Sequence, residues 1–168
     1  VWDFAKQGLP SRTLLGMHQF IVVHADNPAV NAPHPVSRQD MIELLQEYID
    51  AGGRLLLAGW RLLPSFAHGR TLPLSFAPGS FAYEYLHIDS LAETDADRGD
   101  FTQGAGQSGF RAVDIDSANF PLQPYRGALS QVSLVLGRTD STDIISIYGN
   151  KLNSPTPAWR GLPVGVRA

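Results

Sequence analysis

The sequence contains no cysteine. Disulfides, thiolate catalysis and cysteine-based zinc sites are therefore excluded. Charged residues make up only 17% of the chain and the formal net charge is −3, so no basic surface dominates and nucleic-acid binding has little support. No apolar run approaches the roughly 20 residues that a membrane-spanning helix needs. The hydrophobic fraction of 43% is that of an ordinary globular protein, and the absence of cysteine leaves the compartment open.

The most informative stretch runs from Ser37 to Trp60 and predicts a helix, a glycine turn and a buried strand, in that order. Ser37 followed by Asp40 resembles a capping box with Asp in place of Glu, and it places the N-cap of the helix at Ser37. Gly52 and Gly53 then supply the positive φ that ends a helix. Apolar residues at helical spacing form one stripe along the helix. The stripe consists of Met41, Leu44, Leu45, Tyr48 and Ile49.

Two apolar runs without alternation, Phe20–Val23 and Leu55–Ala58, flank this helix. Such runs are typical of strands that are covered on both faces, as in a parallel sheet. Joined by an amphipathic helix, they predict a right-handed βαβ unit. The second half instead alternates apolar and polar residues, which is typical of half-exposed strands. The alternating runs are 111–116, 131–136, 143–148 and 162–167. Residues 81–88 could form a helix or a strand, and a helix is favoured because Tyr83 and Leu86 would share one face of it.

The length of 168 residues predicts a single α/β domain over residues 1–168. The chain opens on Val1-Trp2-Asp3, which is typical of the end of a strand, and it stops within another strand-like run at residues 164–167. We therefore expect an excised part of a longer multidomain protein, in which other domains of the same polypeptide are partners. A processed or tagged protein is the alternative.

Several hydrolytic and amidotransferase α/β folds place their nucleophile at the turn that follows a strand such as Leu55–Ala58. In this chain the turn reads Ala58-Gly59-Trp60-Arg61, which offers no Cys, Ser or Thr. The nearest downstream hydroxyl belongs to Ser65, at least a helical turn away. No catalytic residue is therefore predicted, and Trp60 is interpreted as a packing or rim residue.

His24 and Asp26 follow the first apolar run and would face the same side if the strand continued. A metal site or an acid–base pair could use that spacing, although the only nearby candidate for a third ligand is His34. Open parallel sheets bind ligands beyond the carboxyl ends of their strands, where a loop rich in proline and asparagine follows His24. No metal site and no cofactor is predicted. The candidate residues of this cleft are His24, Asp26, Asn27, Trp60 and His87.

Three short segments carry a resemblance to a known family, and they are Val1-Trp2-Asp3, Gly52-Gly53-Arg54-Leu55 and Tyr85-Leu86-His87. With the stretches FIVVHADN and YEYLHIDSL, they resemble a domain of large secreted bacterial proteins that is similar in fold to class I glutamine amidotransferases. The resemblance covers most of residues 1–90 and implies a flavodoxin-like domain. The amidotransferase site needs a cysteine at the turn, which is absent, and the family's first strand and helix would precede Val1.

The predicted fold class is accordingly α/β, with an open, mostly parallel sheet flanked by helices and a β-rich C-terminal half. The leading functional hypothesis is a non-catalytic, amidotransferase-like domain that serves as a structural or ligand- or protein-binding module of an extracellular bacterial protein. An extracellular or cell-surface location is expected, with the cytoplasm as the alternative.

Two other functions are kept as alternatives. One is a hydrolase, with or without a metal, that uses His24 and Asp26. The other is a carbohydrate-binding module, suggested by the aromatic residues Trp60, Tyr125 and Trp159. The partners expected are other domains of the polypeptide and a small-molecule, glycan or protein ligand, with no nucleic acid and no membrane span.

Overall fold

A computed structural model describes residues 1–26, 34–94, 100–116, 129–149 and 159–168. The chain divides into two compact units, Val1–Arg70 and Thr71–Ala168, and each is described separately below. The expectation of one domain over residues 1–168 stays a prediction alongside this division. None of the helices in the described ranges has both the length and the apolar character needed to cross a bilayer.

The first unit is built around a parallel pair of strands and one long helix. Its helices are α1 (Phe4–Gln7), α2 (Arg12–Gly16) and α3 (Gln39–Asp50), with short 3₁₀ helices at Pro35–Ser37 and Leu63–Ala67, and its strands are β1 (Phe20–His24) and β2 (Arg54–Ala58). Phe20 lies opposite Arg54 and His24 lies opposite Ala58 in the parallel register. The predicted succession of strand, helix and parallel strand is confirmed.

The start of α3 differs from the prediction. Its N-cap is Arg38, which makes no side-chain capping bond. Ser37 instead ends a 3₁₀ helix, and its hydroxyl donates a hydrogen bond to the His34 carbonyl at 3.1 Å. Asp40 accepts from the Met41 N–H at 2.9 Å and pairs with Arg38. The predicted capping box is therefore wrong, because Pro35 starts a separate turn that uses the Ser37 hydroxyl first.

The end of α3 and its buried face match the prediction in part: Ile42 is buried in place of the half-buried Ile49, and of the two glycines only Gly52 has a positive φ. Gly52 has a φ of 88°, and its N–H donates to the Ile49 carbonyl at 2.8 Å. The Tyr48 hydroxyl donates to the His18 carbonyl at 3.0 Å, which ties the helix to the residues before β1. A methyl group on Gly53 would lie 2.3 Å from the Tyr48 ring, so the second glycine is required by space. The buried residues of α3 are Met41, Ile42, Leu44, Leu45 and Tyr48.

The two strands are not covered on both faces, contrary to the prediction. Along β1, Phe20 and Val22 are 55% and 54% exposed, whereas Val23 is buried. Leu56, which lies opposite Val22, is 43% exposed. An uninterrupted apolar run shows that both faces of a strand carry apolar side chains. It does not show whether another element packs against each of those faces.

The second unit consists mainly of antiparallel sheets. Its elements are β3 (Leu74–Ser75), α4 (Phe81–Glu84), β4 (Ile88–Glu93), β5 (Gln103–Gly106), β6 (Val113–Asp114), β7 (Ser133–Gly137), β8 (Asp143–Gly149) and β9 (Pro163–Arg167). One sheet has the order β3-β4-β7 and the other has the order β6-β5-β8-β9. The predicted helix over 81–88 holds only for its first half, because α4 ends at Glu84 and β4 begins at Ile88.

The predicted fold class, an open and mostly parallel sheet of flavodoxin-like or amidotransferase-like type, is therefore wrong. Within the described residues the parallel pairing is confined to β1 and β2. The strand pairs described for the second unit are antiparallel in every case. The prediction extended one local βαβ unit to the whole chain, whereas the alternating strands of the second half pair among themselves.

The buried centre of the four-stranded sheet is Tyr148 on β8, which is 2% exposed. Its hydroxyl donates a hydrogen bond to the carboxylate of Asp100, which is also buried. The Phe101 ring meets the Tyr148 ring edge-on, with centroids 5.0 Å apart. Burial, with the Asp100 carboxylate beside the hydroxyl, raises the pKa of Tyr148 above its ordinary value. No pattern in the sequence predicted this buried pair.

Candidate functional site

The carboxyl ends of β1 and β2 are joined by two hydrogen bonds. The Ala25 N–H donates to the Ala58 carbonyl at 3.1 Å, which extends the ladder one residue beyond β1. The Trp60 N–H donates to the Asp26 carboxylate at 2.7 Å. Hydrogen bonds to an ionised acceptor are among the stronger ones in proteins. Asp26 and Trp60 thus come together as predicted, but through a carboxylate and a backbone amide.

Gly59 lies in the turn after β2, where the predicted α/β fold would place a nucleophile. Its φ is 153°, a conformation that residues with a side chain rarely adopt. A methyl group on Gly59 would lie 1.8 Å from the Ala25 carbonyl oxygen. The space for a side chain is therefore filled by the backbone of the neighbouring strand. The turn residues Ala58-Gly59-Trp60-Arg61 include no Cys, Ser or Thr, and the geometry shows why position 59 has no room for a side chain.

Arg61 is a residue of the turn that sequence reasoning did not single out. It is only 4% exposed, and its φ of 57° is left-handed. Its guanidinium carbon lies 5.7 Å from the centroid of the half-buried Trp60 ring, within the range of a cation–π contact. The sequence feature that could have pointed to Arg61 is its position between Trp60 and the apolar Leu62, in a chain with few charged residues.

His24 and Asp26 do not form the pair that their spacing suggested. β1 ends at His24, whose side chain is exposed, while the Asp26 carboxylate accepts the Trp60 N–H. The Ser65 hydroxyl is buried and donates to the Leu62 carbonyl at 2.6 Å, within its own 3₁₀ helix. No three His, Cys, Asp or Glu side chains in the described ranges are grouped so that they could hold a metal ion.

His34, the other imidazole near this end of the strands, has a structural contact. Its Nδ1 accepts the Val36 N–H at 3.2 Å and so caps the 3₁₀ helix that precedes α3. Burial lowers the pKa of His34, because the charged imidazolium is disfavoured in a half-buried position. An Nδ1 that accepts a hydrogen bond is unprotonated, so protonation would remove the cap.

We expect His34 to make the protein less stable in mild acid. Because its pKa is lowered on folding, its contribution is complete above the ordinary histidine value of about 6.5 and falls as the pH drops through and below that value. His34→Asn keeps an oxygen acceptor for the Val36 N–H but cannot titrate. Urea unfolding near neutral pH and in mild acid should show a larger loss for the wild type than for His34→Asn. Equal losses would contradict this role.

The remaining candidates of the predicted cleft are placed as follows. Asn27 lies outside the described residues. His87 belongs to the second unit, where it joins α4 to β4 with a φ of 53° and its carbonyl accepts the Arg138 N–H at 2.8 Å. The His87 Nδ1 is buried and has no hydrogen-bond partner among the described residues. The structure thus brings Asp26 and Trp60 together in the first unit, with His24 at the end of β1.

The aromatic residues proposed for sugar binding have different surroundings. Trp60 is half-buried beside Arg61. Trp159 packs on Tyr148 with ring centroids 6.1 Å apart. Tyr125 lies outside the described residues. Trp60 and Trp159 belong to different units, and each is half-buried.

Comparison with protein-family models, with curated proteins and with solved structures found no match for this chain. The turn between β2 and the following 3₁₀ helix is thus the feature from which its function is inferred.

Proposed function

We propose that the chain is a non-catalytic structural or ligand- or protein-binding module of an extracellular bacterial protein. The observation that carries the proposal is the turn after β2. Gly59 lies against the Ala25 carbonyl, so no side chain projects where a nucleophile would be needed. The Asp26 carboxylate holds the Trp60 amide, which makes the turn a fixed support for the Trp60 ring. A rigid turn with a half-buried tryptophan suits recognition better than acid–base chemistry.

The extracellular or cell-surface location is supported by the resemblance of residues 1–90 to a domain of secreted bacterial proteins. That resemblance remains a proposal, and the element it concerns most directly is β1–α3–β2. Other domains of the same polypeptide are proposed as partners for the same reason. The absence of cysteine suits an extracellular protein as well as a cytoplasmic one.

The two alternatives require more than the described residues provide. A hydrolase would need a further group beside His24, and the Asp26 carboxylate already accepts the Trp60 N–H. A sugar-binding site would need exposed rings, whereas Trp159 packs on Tyr148. We therefore place a binding module ahead of both.

The fluorescence of Trp60 provides the test of the proposal. Replacing Trp2 and Trp159 with Phe leaves Trp60 as the single reporter. This protein should be titrated with the neighbouring domains of its polypeptide and with soluble oligosaccharides chosen from a glycan array. Binding should change the Trp60 emission. Asp26→Ala should raise the dissociation constant of the ligand by about tenfold or more, because the turn loses the hydrogen bond from the Trp60 N–H to the Asp26 carboxylate. Asp26→Asn keeps an acceptor oxygen and should bind nearly as the wild type does.

A panel of ester, amide and phosphate-ester substrates separates binding from catalysis. No turnover is expected for the wild-type protein. Turnover that disappears in His24→Ala would overturn the proposal in favour of the hydrolase. Binding measured by calorimetry, which does not need the Trp60 reporter, should be weakened in both Asp26→Ala and Trp60→Ala. Binding that is unchanged in both variants would place the recognition surface elsewhere on the chain.

A further inference from the structure

Within the part of the chain that the structure describes, no strand pairs with the outer edge of β1. The Arg54 N–H donates to the Gln19 carbonyl at 3.0 Å, and the Ala25 N–H donates to the Ala58 carbonyl. Because backbone groups alternate in direction along a strand, the odd-numbered residues of β1 face β2. The N–H and C=O groups of the even-numbered residues point away from it. These residues, Phe20, Val22 and His24, have no backbone hydrogen-bond partner among the described residues.

This edge lacks the features by which proteins usually protect exposed strands. Natural edges carry lysine or proline, are very short, or are bulged. The five residues of β1, FIVVH, contain neither lysine nor proline and run in regular register with β2. The Phe20 and Val22 side chains, which lie on the open face of the pair, are both more than half exposed. An unprotected apolar edge of this kind is a template for a further strand.

We propose that β1 forms the interface of a symmetric homodimer, in which it pairs antiparallel with β1 of a second copy. The two-fold axis passes beside Val22, so that Val22 lies opposite Val22 of the second copy and Phe20 lies opposite its His24. Each of these pairs exchanges two backbone hydrogen bonds, about six in total. The result is a four-stranded sheet in the order β2-β1-β1-β2.

The pattern of the edge favours a second copy over another occupant. Val22 is the middle residue of β1 and is also one of those that point outward, so the strand is complementary to itself about its own centre. On β2 only Leu55 and Leu57 point outward, which allows about four such bonds. Self-pairing also joins the exposed Phe20, Val22 and Leu56 of both copies into one apolar surface.

The dimer is independent of the function proposed above. It uses the outer edge of β1, whereas the proposed recognition depends on the turn at Trp60. If Trp60 binds no ligand, the dimer is still expected to form through β1. If the protein is monomeric, binding at Trp60 is still expected.

Sedimentation of the full chain over a roughly hundredfold range of concentration measures the association. The wild type should sediment as a dimer at the upper end of the range. Val22→Lys sets two like charges against each other at the two-fold axis and should raise the dimer dissociation constant by at least about tenfold. Val113→Lys is the matched control, because Val113 is 71% exposed and lies in the second unit. It should leave the dissociation constant unchanged.

Single cysteines give a second, geometric test, which is clean because the natural chain has none. Residues that form a hydrogen-bonded antiparallel pair, as Val22 and its counterpart would, lie about 5.5 Å apart at Cα, within the range that a disulfide spans. Val22→Cys should therefore form a covalent dimer under mild oxidation. Leu56→Cys is on the same open face but one strand further out, about 15 Å from its counterpart, and should not cross-link.

Either of two results would overturn the proposal. One is a wild-type protein that remains monomeric over the whole range. The other is a dimer that Val22→Lys does not weaken and that Val22→Cys cross-links no faster than Leu56→Cys. That second result would place the dimer interface away from β1. The edge of β1 would then be open to pairing with a strand of a different protein.

Discussion

Replacing Gly59 with Ala should lower the free energy of unfolding by about 3 kcal/mol or more. The added methyl group would lie 1.8 Å from the Ala25 carbonyl oxygen. That atom belongs to the backbone and cannot rotate away, so the ends of β1 and β2 must separate. The hydrogen bond between the Asp26 carboxylate and the Trp60 N–H lies next to this contact and would be strained with it. Urea unfolding, followed by circular dichroism and by Trp60 fluorescence, measures the change.

Gly52→Ala is the matched control for Gly59→Ala. Gly52 also has a positive φ, of 88°, but nothing lies within 4 Å of the position where its methyl group would be. Its substitution carries only the backbone penalty of the left-handed conformation, about 1 kcal/mol. A Gly59→Ala protein no less stable than Gly52→Ala would show that Gly59 and Ala25 are not in close contact. In that case a side chain could stand at the turn, and the main support for a non-catalytic module would be lost.

The β1–α3–β2 succession could be predicted because local sequence determines it. The apolar spacing in α3 matches the helical period, so its buried face follows from the pattern alone. Gly52 and Gly53 end the helix for reasons that are also local: one needs a positive φ, and the other needs room beside Tyr48. A helix between the two strands returns the chain so that they run parallel, but their register, with Phe20 opposite Arg54, does not follow from the local pattern.

The fold class could not be predicted, because it depends on contacts between segments distant in sequence. An apolar run such as Phe20–Val23 is equally compatible with a covered strand and with a strand that has one open face. Which partners the strands of the second half choose is decided by register and by connections. The start of α3 was also misread, because Pro35 and Ser37 complete a 3₁₀ turn before the helix begins.

The residues of the candidate site could be predicted from the sequence, but their hydrogen bonds and contacts could not. The absence of a nucleophile at Gly59 could be read directly from the residues. The contact of Gly59 with Ala25 could not, since it depends on the parallel register of two strands. Asp26 was selected for its spacing from His24, yet its partner is the Trp60 amide. A hydrogen bond from a backbone N–H to a carboxylate cannot be predicted from the spacing of side chains, because every residue except proline carries such an N–H.

Tyr148→Phe should destabilise the protein by about 2–3 kcal/mol. The substitution removes only the hydroxyl, which donates to the buried Asp100 carboxylate. A buried carboxylate that loses a donor keeps its desolvation cost and loses part of its compensation. The Phe ring should still fill the space beside Phe101, so the loss reports the hydrogen bond rather than a cavity.

The pH dependence provides an independent readout of the same pair. Because burial raises the pKa of Tyr148, the unfolded chain releases the phenolic proton at a lower pH than the folded protein does. Stability should therefore fall as the pH rises above about 10, the ordinary tyrosine value. Tyr148→Phe should show a smaller alkaline loss than the wild type, measured as the difference in unfolding free energy between neutral and alkaline buffer.

Tyr83→Phe is the matched control, since it deletes the same atom from a half-buried tyrosine of the same unit. The Tyr83 ring lies 4.7 Å from the Arg138 guanidinium carbon, a contact that the substitution keeps. Its stability should stay within about 0.5 kcal/mol of the wild type. Equal effects of the two substitutions would mean that the Tyr148 hydroxyl does not contact a charged Asp100. The second unit would then be held together by the packing of Tyr148 against Phe101 and Trp159, without a buried charge at its centre.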